Sequence, residues 1–509
     1  MNNMKKLIGI IIVSIACLSG CDSVTENKAT KSNKTFKRPN ILILMSDNHS
    51  DIHLGAYGDK VVKTPNIDKI AKEGIKFNNA FGASPSCSPA RAAMLTGQDT
   101  WRLGDAANLW GGFPKVAVYT DIMEKAGYHV GIEGKGWGPG KAEADGWTRN
   151  PGGERYDSFE EFYNEIEKGA PWMYWYSSRD PHRPFKRNGW QKAGIDLDAI
   201  EVPSYLPDTE EVRKDIGDYY YEIQSFDREV DSYLSLIGEM GQLENTIVII
   251  TSDNGWQMPR GLANLYDAGV KVPLIISWPD HFKGSREIDD FVTLNDFAPT
   301  FLELAGIEIP ASMNAKSLVN ILHSEAEGLI EKDRDFVVTA RERHAYVRQG
   351  GAGYPGRAIR TNDYLLIKNY TPEAWPAGQP PLYGDVDAHM LQYPAATKMY
   401  MLMNKDDEKV KPLFNLAFGK RPAIELFDLQ KDPEQMVNVA DDPAYAEVKA
   451  SLETKLVNHL KATGDPRETG EGFDWDASIY YMEKDKRPRP SQKAIEALGL
   501  EEEYDYTSN

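Results

Sequence analysis

The chemistry this chain can do is first visible in two short pairs of residues. Asp47-Asn48 follows the apolar run Asn40-Ile-Leu-Ile-Leu-Met45, and Asp253-Asn254 follows Thr246-Ile-Val-Ile-Ile-Thr251, about two hundred residues later. A serine precedes each pair, so both runs lead into Ser-Asp-Asn. Either pair alone reads as the start of a turn or a helix cap. Together they follow two strands of the kind buried on both faces, and they fall where open α/β sheets hold ligands, beyond the carboxyl ends of the strands. Four oxygen-bearing side chains, two of them carboxylates, suit a hard cation, Ca²⁺ better than Mg²⁺.

Cysteine usage points to a second centre. The chain has three cysteines: Cys17, Cys21 and Cys87. Lys5 and Lys6 precede the apolar run Leu7 to Leu18, which has the length of a signal-peptide core rather than of a membrane span. The run ends in Leu18-Ser19-Gly20-Cys21, which resembles the bacterial lipobox, where the cysteine is lipidated and becomes the first residue. On that reading Cys17 leaves with residues 1–20, Cys21 carries lipid, and residues 21–37 are a polar tether. The expectation is an exported, membrane-anchored lipoprotein, periplasmic or at the cell surface. Only Cys87 then remains, with no internal disulfide partner. Its count alone leaves two readings open, a buried inert thiol or one kept for chemistry.

Positioning these residues requires alternating elements. Pro65 to Gly74 places Ile67, Ile70 and Ala71 on one helical face, and Tyr219 to Ile237 carries Ile223, Phe226, Val230, Tyr233, Leu234 and Ile237 at helical spacing. Strand-like and helical patterns alternate to about residue 330. They predict an α/β fold, a large mostly parallel sheet sandwiched by helices. Beyond, Phe336 to Thr339 and Tyr364 to Lys368 read as strands, Pro372 to Pro381 as a loop, and Glu447 to Leu460 fits a helix. We expect a main domain over 38–350, a smaller C-terminal antiparallel-sheet subdomain over 351–480, and a polar acidic tail over 481–509. The 509 residues carry 58 basic and 77 acidic side chains, a net charge of −19, which argues against a general nucleic-acid binder. At 41% hydrophobic, the composition is neither disordered nor fibrous.

Around the last thiol the chain reads Ser86-Cys87-Ser88-Pro89-Ala90-Arg91-Ala92-Ala93-Met94-Leu95-Thr96-Gly97. This resembles the type I sulfatases of the alkaline-phosphatase superfamily, whose signature is Cys-x-Pro-x-Arg followed by a Leu-Thr-Gly helix. Further matches run from residue 39 to about 465: Lys63-Thr64-Pro65-Asn66-Ile67-Asp68, Asp180-Pro181-His182-Arg183, Tyr266-Asp267-Ala268-Gly269, Asp296-Phe297-Ala298-Pro299-Thr300 and Glu425-Leu426-Phe427-Asp428-Leu429. The resemblance implies that a maturation enzyme converts Cys87 to formylglycine (3-oxoalanine). Its hydrated aldehyde attacks sulfur with one hydroxyl and releases sulfate by collapse through the other. It further implies one Ca²⁺ held by Asp47, Asn48, Cys87 as modified, Asp253 and Asn254. Arg91 would support the nucleophile, Lys135 would bind sulfate, and His182 would contact sulfate or protonate the leaving oxygen.

Three positions depart from the family pattern. Asn48 stands where an aspartate is usual, Trp137 replaces a histidine after Lys135, and Leu262 falls on a basic position for which Arg260 is the nearest substitute. His53 is a candidate for the missing imidazole and equally a packing residue. The sulfated-glycan subsite is expected to draw on Arg260, Arg343, His344 and Arg357, since guanidinium groups recognise sulfate and carboxylate with paired hydrogen bonds. Trp101, Trp110 and Trp375 offer faces for sugar stacking or for core packing. The expected function is removal of sulfate from a polysaccharide, algal (ulvan or carrageenan) or glycosaminoglycan. The rival readings are a non-catalytic glycan-binding lipoprotein and a phosphatase or phosphodiesterase of the same fold. The second would need a His/Asp-rich pair of zinc sites.

Overall fold

In this computed structural model the described residues are 38–385, 397–484, 487 and 490–499. The expected signal peptide and tether, Cys21 included, lie outside them, as do residues 500–509 of the expected tail. The strands in chain order are Asn40–Ser46 (β1), Ile75–Phe77 (β2), Ala80–Phe81 (β3), His129–Gly134 (β4), Glu154–Arg155 (β5), Trp172–Ser177 (β6) and Thr246–Ser252 (β7). There follow Leu274–Ser277 (β8), Arg286–Ile288 (β9), Val292–Thr293 (β10), Phe336–Arg341 (β11), Gly356–Thr361 (β12), Tyr364–Asn369 (β13) and Ile424–Asp428 (β14).

Eight of them form the main sheet in the order β5-β4-β6-β1-β7-β8-β2-β9. Within it β8 is the antiparallel strand, and the rest run together. The two continuous apolar runs, β1 and β7, lie side by side in the middle, and every residue of both is buried. Such strands need cover on both faces, and each face of β1 has it. Ile41, Ile43 and Met45 pack with Ala92, Ala93, Met94 and Leu95 of the helix Cys87–Thr96. Leu42 and Leu44 pack with Ile216, Tyr219, Ile223 and Phe226 of the helix Glu210–Glu239. Alternation along a strand thus divides the core into two layers.

The long helix begins nine residues ahead of the expected start. Thr209 caps it by accepting the Val212 amide, and its first turns carry Glu210, Glu211 and Asp215. The start also carries buried Val212 and Ile216, which continue the apolar spacing back from Tyr219, while Asp215 pairs with Arg183 of a loop. The expected short helix is present as Pro65–Glu73, with Ile67 and Ala71 buried.

The smaller sheet runs β11-β12-β13-β14, antiparallel throughout, under the helix Ala446–Ala462 with Leu452, Leu456 and Leu460 facing it. It begins at Phe336, ahead of the expected boundary at 351, because β11 pairs with β12 and not with the main sheet. The polar and acidic stretch after Asp465 is bound into the fold in part. Trp475 is 2% exposed and donates to the Gly104 carbonyl, and Asp476 accepts the Gly353 amide.

Arg357, expected at a glycan subsite, is structural. It is fully buried on β12, its Nε 2.6 Å from Asp465 and its Nη2 2.8 Å from Glu342. A guanidinium between two buried carboxylates has no capacity left for substrate. Arg357→Ala would leave the buried Asp465 without its cation, while Glu342 keeps Arg467, and unfolding by denaturant should show a loss of about 3–5 kcal/mol. A loss below about 1 kcal/mol would contradict this assignment.

Candidate active site

β1 and β7 pair in parallel from Asn40↔Thr246 to Ser46↔Ser252. That register brings the two Asp-Asn pairs out of the sheet at one level, one strand spacing apart. Asn48 then turns through the left-handed region (φ 66°), which asparagine tolerates better than most residues. Its amide reaches Asp253 Oδ1 at 3.2 Å.

The helix Cys87–Thr96 delivers Cys87 at its first turn. All ten of its residues are buried, and Gly97 ends it in the left-handed conformation (φ 60°), its amide on the Ala93 carbonyl. Cys87 Sγ lies 3.5 Å from Asp47 Oδ1 and 3.8 Å from Asn48 Oδ1. Donor atoms of Asp47, Cys87 and Asp253 fall within 4.8 Å of one another. Burial, reinforced by Asp47, pushes the Cys87 thiol well up. An unmodified Cys87 is therefore a neutral thiol, not a thiolate nucleophile.

Arg91 is one helical turn on from Cys87 and fully buried. Its Nε is 2.7 Å from Asp253 Oδ2, its Nη1 donates to the Gly136 carbonyl and Ser177 Oγ, and its Nη2 is 3.6 Å from Asp47. Lys135 sits between Gly134 (φ 77°) and Gly136 (φ 58°), a double left-handed turn that folds its ammonium back to 2.7 Å from Asp47 Oδ2. A side chain at Gly134 would strike the Ser177 carbonyl, so the close approach demands glycine there. Burial would raise the Asp47 pKa, but Lys135, His182 and Arg91 outweigh it and hold the carboxyl well below its usual range. His182 lies near enough to Asp47 and Lys135 to feel both charges, and burial holds its imidazole below the ordinary value against the pull of Asp47. Its Nδ1 donates to the Arg183 carbonyl.

Eight predicted residues thus converge: Asp47, Asn48, Cys87, Arg91, Lys135, His182, Asp253 and Asn254. His344 borders the same centre, with Nδ1 2.9 Å from the hydroxyl of Ser86, the residue before Cys87. Arg260 and Arg343 do not join them. Arg260 donates to the carbonyls of Leu416 and Gln435 and stacks on Tyr266 at 3.9 Å. Arg343 donates to the carbonyls of Gly351 and Ser478. Both guanidinium groups are buried and committed to the protein's own carbonyls, which corrects the expected glycan subsite. His53 is a packing residue, its ring 4.5 Å from Trp256 and its Nδ1 beside Tyr220 and Asp59. Trp137 anchors the helix Cys87–Thr96 by donating to the Ser88 carbonyl at 3.1 Å. Trp101 is buried beside Arg357, and Trp375 packs on Tyr383. Gln257 escaped sequence reasoning. It is 2% exposed, and its Oε1 accepts from Asn48 and from the Arg183 amide.

A sulfatase family model matches residues 39–307, and a model described as the C-terminal part of N-sulphoglucosamine sulphohydrolase matches 258–377. An ulvan-active sulfatase of Formosa agariphila is 26% identical, over 90% of this chain and 82% of its own length. Human N-sulphoglucosamine sulphohydrolase is 26% identical, over 84% of this chain and 91% of its own. A structure solved in complex with its substrate D-glucosamine-2-N,6-O-disulfate superposes with a TM-score of 0.63 at 19% identity, covering 86% of this chain and all of that one.

The buried imidazole of His344 generates a pH prediction. Burial, reinforced by Arg341 and Arg348 and opposed by Asp385, pushes it down to about 4. Between about 4 and the ordinary value of 6.5 the unfolded chain binds a proton there and the folded protein does not. The stability present above 6.5 is therefore lost as the pH falls toward 4. His344→Gln, which retains a partner for Ser86, should show a smaller drop in melting temperature between about pH 7 and about pH 4.5. An equal drop in both proteins would remove His344 from the account.

Proposed function

The chain belongs to the sulfatase family, and on that premise we propose that it removes sulfate from a sulfated polysaccharide or its oligosaccharides, using formylglycine formed from Cys87 and one Ca²⁺. The observation that carries the proposal is the convergence of Cys87 with Asp47 and Asp253. The donors suit a hard cation: two carboxylates and two amide oxygens, of which Asn254 Oδ1 is buried without a hydrogen-bond partner. Asp47, Asn48, Asp253, Asn254 and the modified residue 87 would hold Ca²⁺, which supplies positive charge for the sulfate oxygens and favours the ionised form of a nearby hydroxyl. Formylglycine at residue 87 would supply, as its hydrate, one hydroxyl for attack on sulfur and a second for release of sulfate.

The remaining work falls to this chain's own side chains. Arg91 ties Asp253 to the nucleophile helix and keeps a buried cation beside both carboxylates. Lys135, on the more open side with 20% of its side chain exposed, offers an ammonium to an incoming sulfate. His182, its Nδ1 proton held by the Arg183 carbonyl, would deliver a proton from Nε2 to the leaving oxygen as the imidazolium, the form that the Asp47 carboxylate favours. His344 steadies Ser86 and through it the start of the helix.

Relatives named for ulvan and for N-sulphoglucosamine support a sulfated glycan, from algae or of the glycosaminoglycan type, as the substrate class. The apolar run Leu7 to Leu18 and the sequence ending at Cys21 support export and lipid anchoring, on the periplasmic side or at the cell surface. A formylglycine-generating enzyme is then an obligatory partner.

Three measurements test this reading. Protein made with that maturation system should show oxygen in place of sulfur at residue 87 by peptide mass, and Cys87→Ala should fold yet release no sulfate. Turnover of substrate by Cys87→Ala at the wild-type rate would overturn the mechanism. His182→Ala should lower kcat/KM on a sugar sulfate by about 10²–10⁴, yet barely affect an activated aryl sulfate whose leaving group needs no proton. Equal losses on both substrates would reassign His182 to sulfate binding.

A further inference from the structure

An asparagine offers a metal one oxygen, and only if its amide is turned the right way round. In this protein the turn is dictated by backbone groups that have no choice of role. The Arg183 amide can only donate, and it donates to Gln257 Oε1 at 3.0 Å. The Gln257 oxygen thereby faces Asn48, so Asn48 must present Nδ2 to it, at 3.2 Å. Asn48 Oδ1 is left on the opposite side, 3.8 Å from Cys87 Sγ and accepting Asn254 Nδ2 at 2.7 Å. The Gly255 carbonyl can only accept, and it takes the same Asn254 Nδ2 at 2.9 Å. That leaves Asn254 Oδ1 buried without a hydrogen-bond partner.

We propose that Gln257 is a positioning residue for the metal centre: it reads the fixed polarity of the Arg183 amide and passes it to Asn48, so that the side-chain oxygen of Asn48 faces the cation. Three amides in series convert one backbone donor and one backbone acceptor into two oriented carbonyl oxygens. The head of the relay is itself held, because Arg183 makes a paired ion bridge to Asp215 at 2.8 and 2.7 Å, and its Nε also donates to the Gln257 carbonyl. Because Arg183 follows His182, the same relay ties the leaving-group side of the site to the metal side. The inference rests on the calcium reading above and adds a residue to it.

The test is calorimetric titration of Ca²⁺ into the chelator-treated full-length protein, with melting in chelator as the control for folding. Gln257→Met keeps the volume and removes the acceptor. Its Ca²⁺ affinity should fall about ten-fold or more, as for other groups that orient metal ligands. Gln257→Glu keeps an acceptor for both donors and should bind Ca²⁺ more tightly than Gln257→Met. In an Asn48→Asp background, where both side-chain oxygens are equivalent and no orientation is needed, the Gln257→Met loss should disappear. Equal losses in both backgrounds would mean that Gln257 acts by packing, and would overturn the proposal. Wild-type binding unchanged by Gln257→Met would overturn it alone; no Ca²⁺ binding by the wild-type chain would overturn the calcium reading together with it.

Discussion

The parallel pairing of β1 with β7 is the contact on which the site depends. These strands are about two hundred residues apart in the chain, yet they share hydrogen bonds along their whole length, with Ser46 opposite Ser252. Both faces of β1 are apolar, so a slip of one residue would exchange Ile41, Ile43 and Met45 for Leu42 and Leu44 and would be opposed by the close packing of each layer. The register so fixed brings Asp47 level with Asp253. Burial of ordinary aliphatic side chains is what sets the placement of the two acids.

Having brought two carboxylates together in a buried place, the fold must compensate them. Arg91 and Lys135 do so from separate elements, one rising from the nucleophile helix and one folded back by a pair of left-handed glycines. Both cations lie close to Cys87, where an incoming sulfate would also need them. Removing either would leave buried negative charge unanswered, a penalty far larger than that of a surface pair. The groups that make the paired carboxylates electrostatically tolerable are the same groups that would receive an anionic substrate.

A second layer of control comes from the helix Glu210–Glu239. Its loop-facing side is acidic, and three of its carboxylates hold the segment that carries His182. Asp215 takes Arg183, Glu222 takes the Lys186 amide, and Glu229 takes Ser178. A loop of irregular backbone has few hydrogen bonds of its own, so it is held by donors and acceptors lent from a rigid neighbour. The other face of that helix is the apolar one that packs on β1 and β7. One helix thus couples the core to the catalytic loop.

Much of this was legible in the residues alone. The two apolar runs, the repeated Ser-Asp-Asn and the sequence around Cys87 are local patterns, and local patterns survive in one dimension. Apolar periodicity marked the helices, and in the longest it runs on through Val212 and Ile216 into acidic first turns that the expected start left out. The arginines show the limit most clearly. Arg260, Arg343 and Arg357 are as basic on paper as Arg91, but only the folded chain decides whether a guanidinium meets a carboxylate, a row of carbonyls or the nucleophile. Gln257 had no sequence signal, since its role lies in which end of an amide faces which partner. Composition and spacing determine which groups exist and which elements they ride on. The direction in which a hydrogen bond runs, and the partner that exhausts a charge, are properties of three-dimensional neighbours and were decided there.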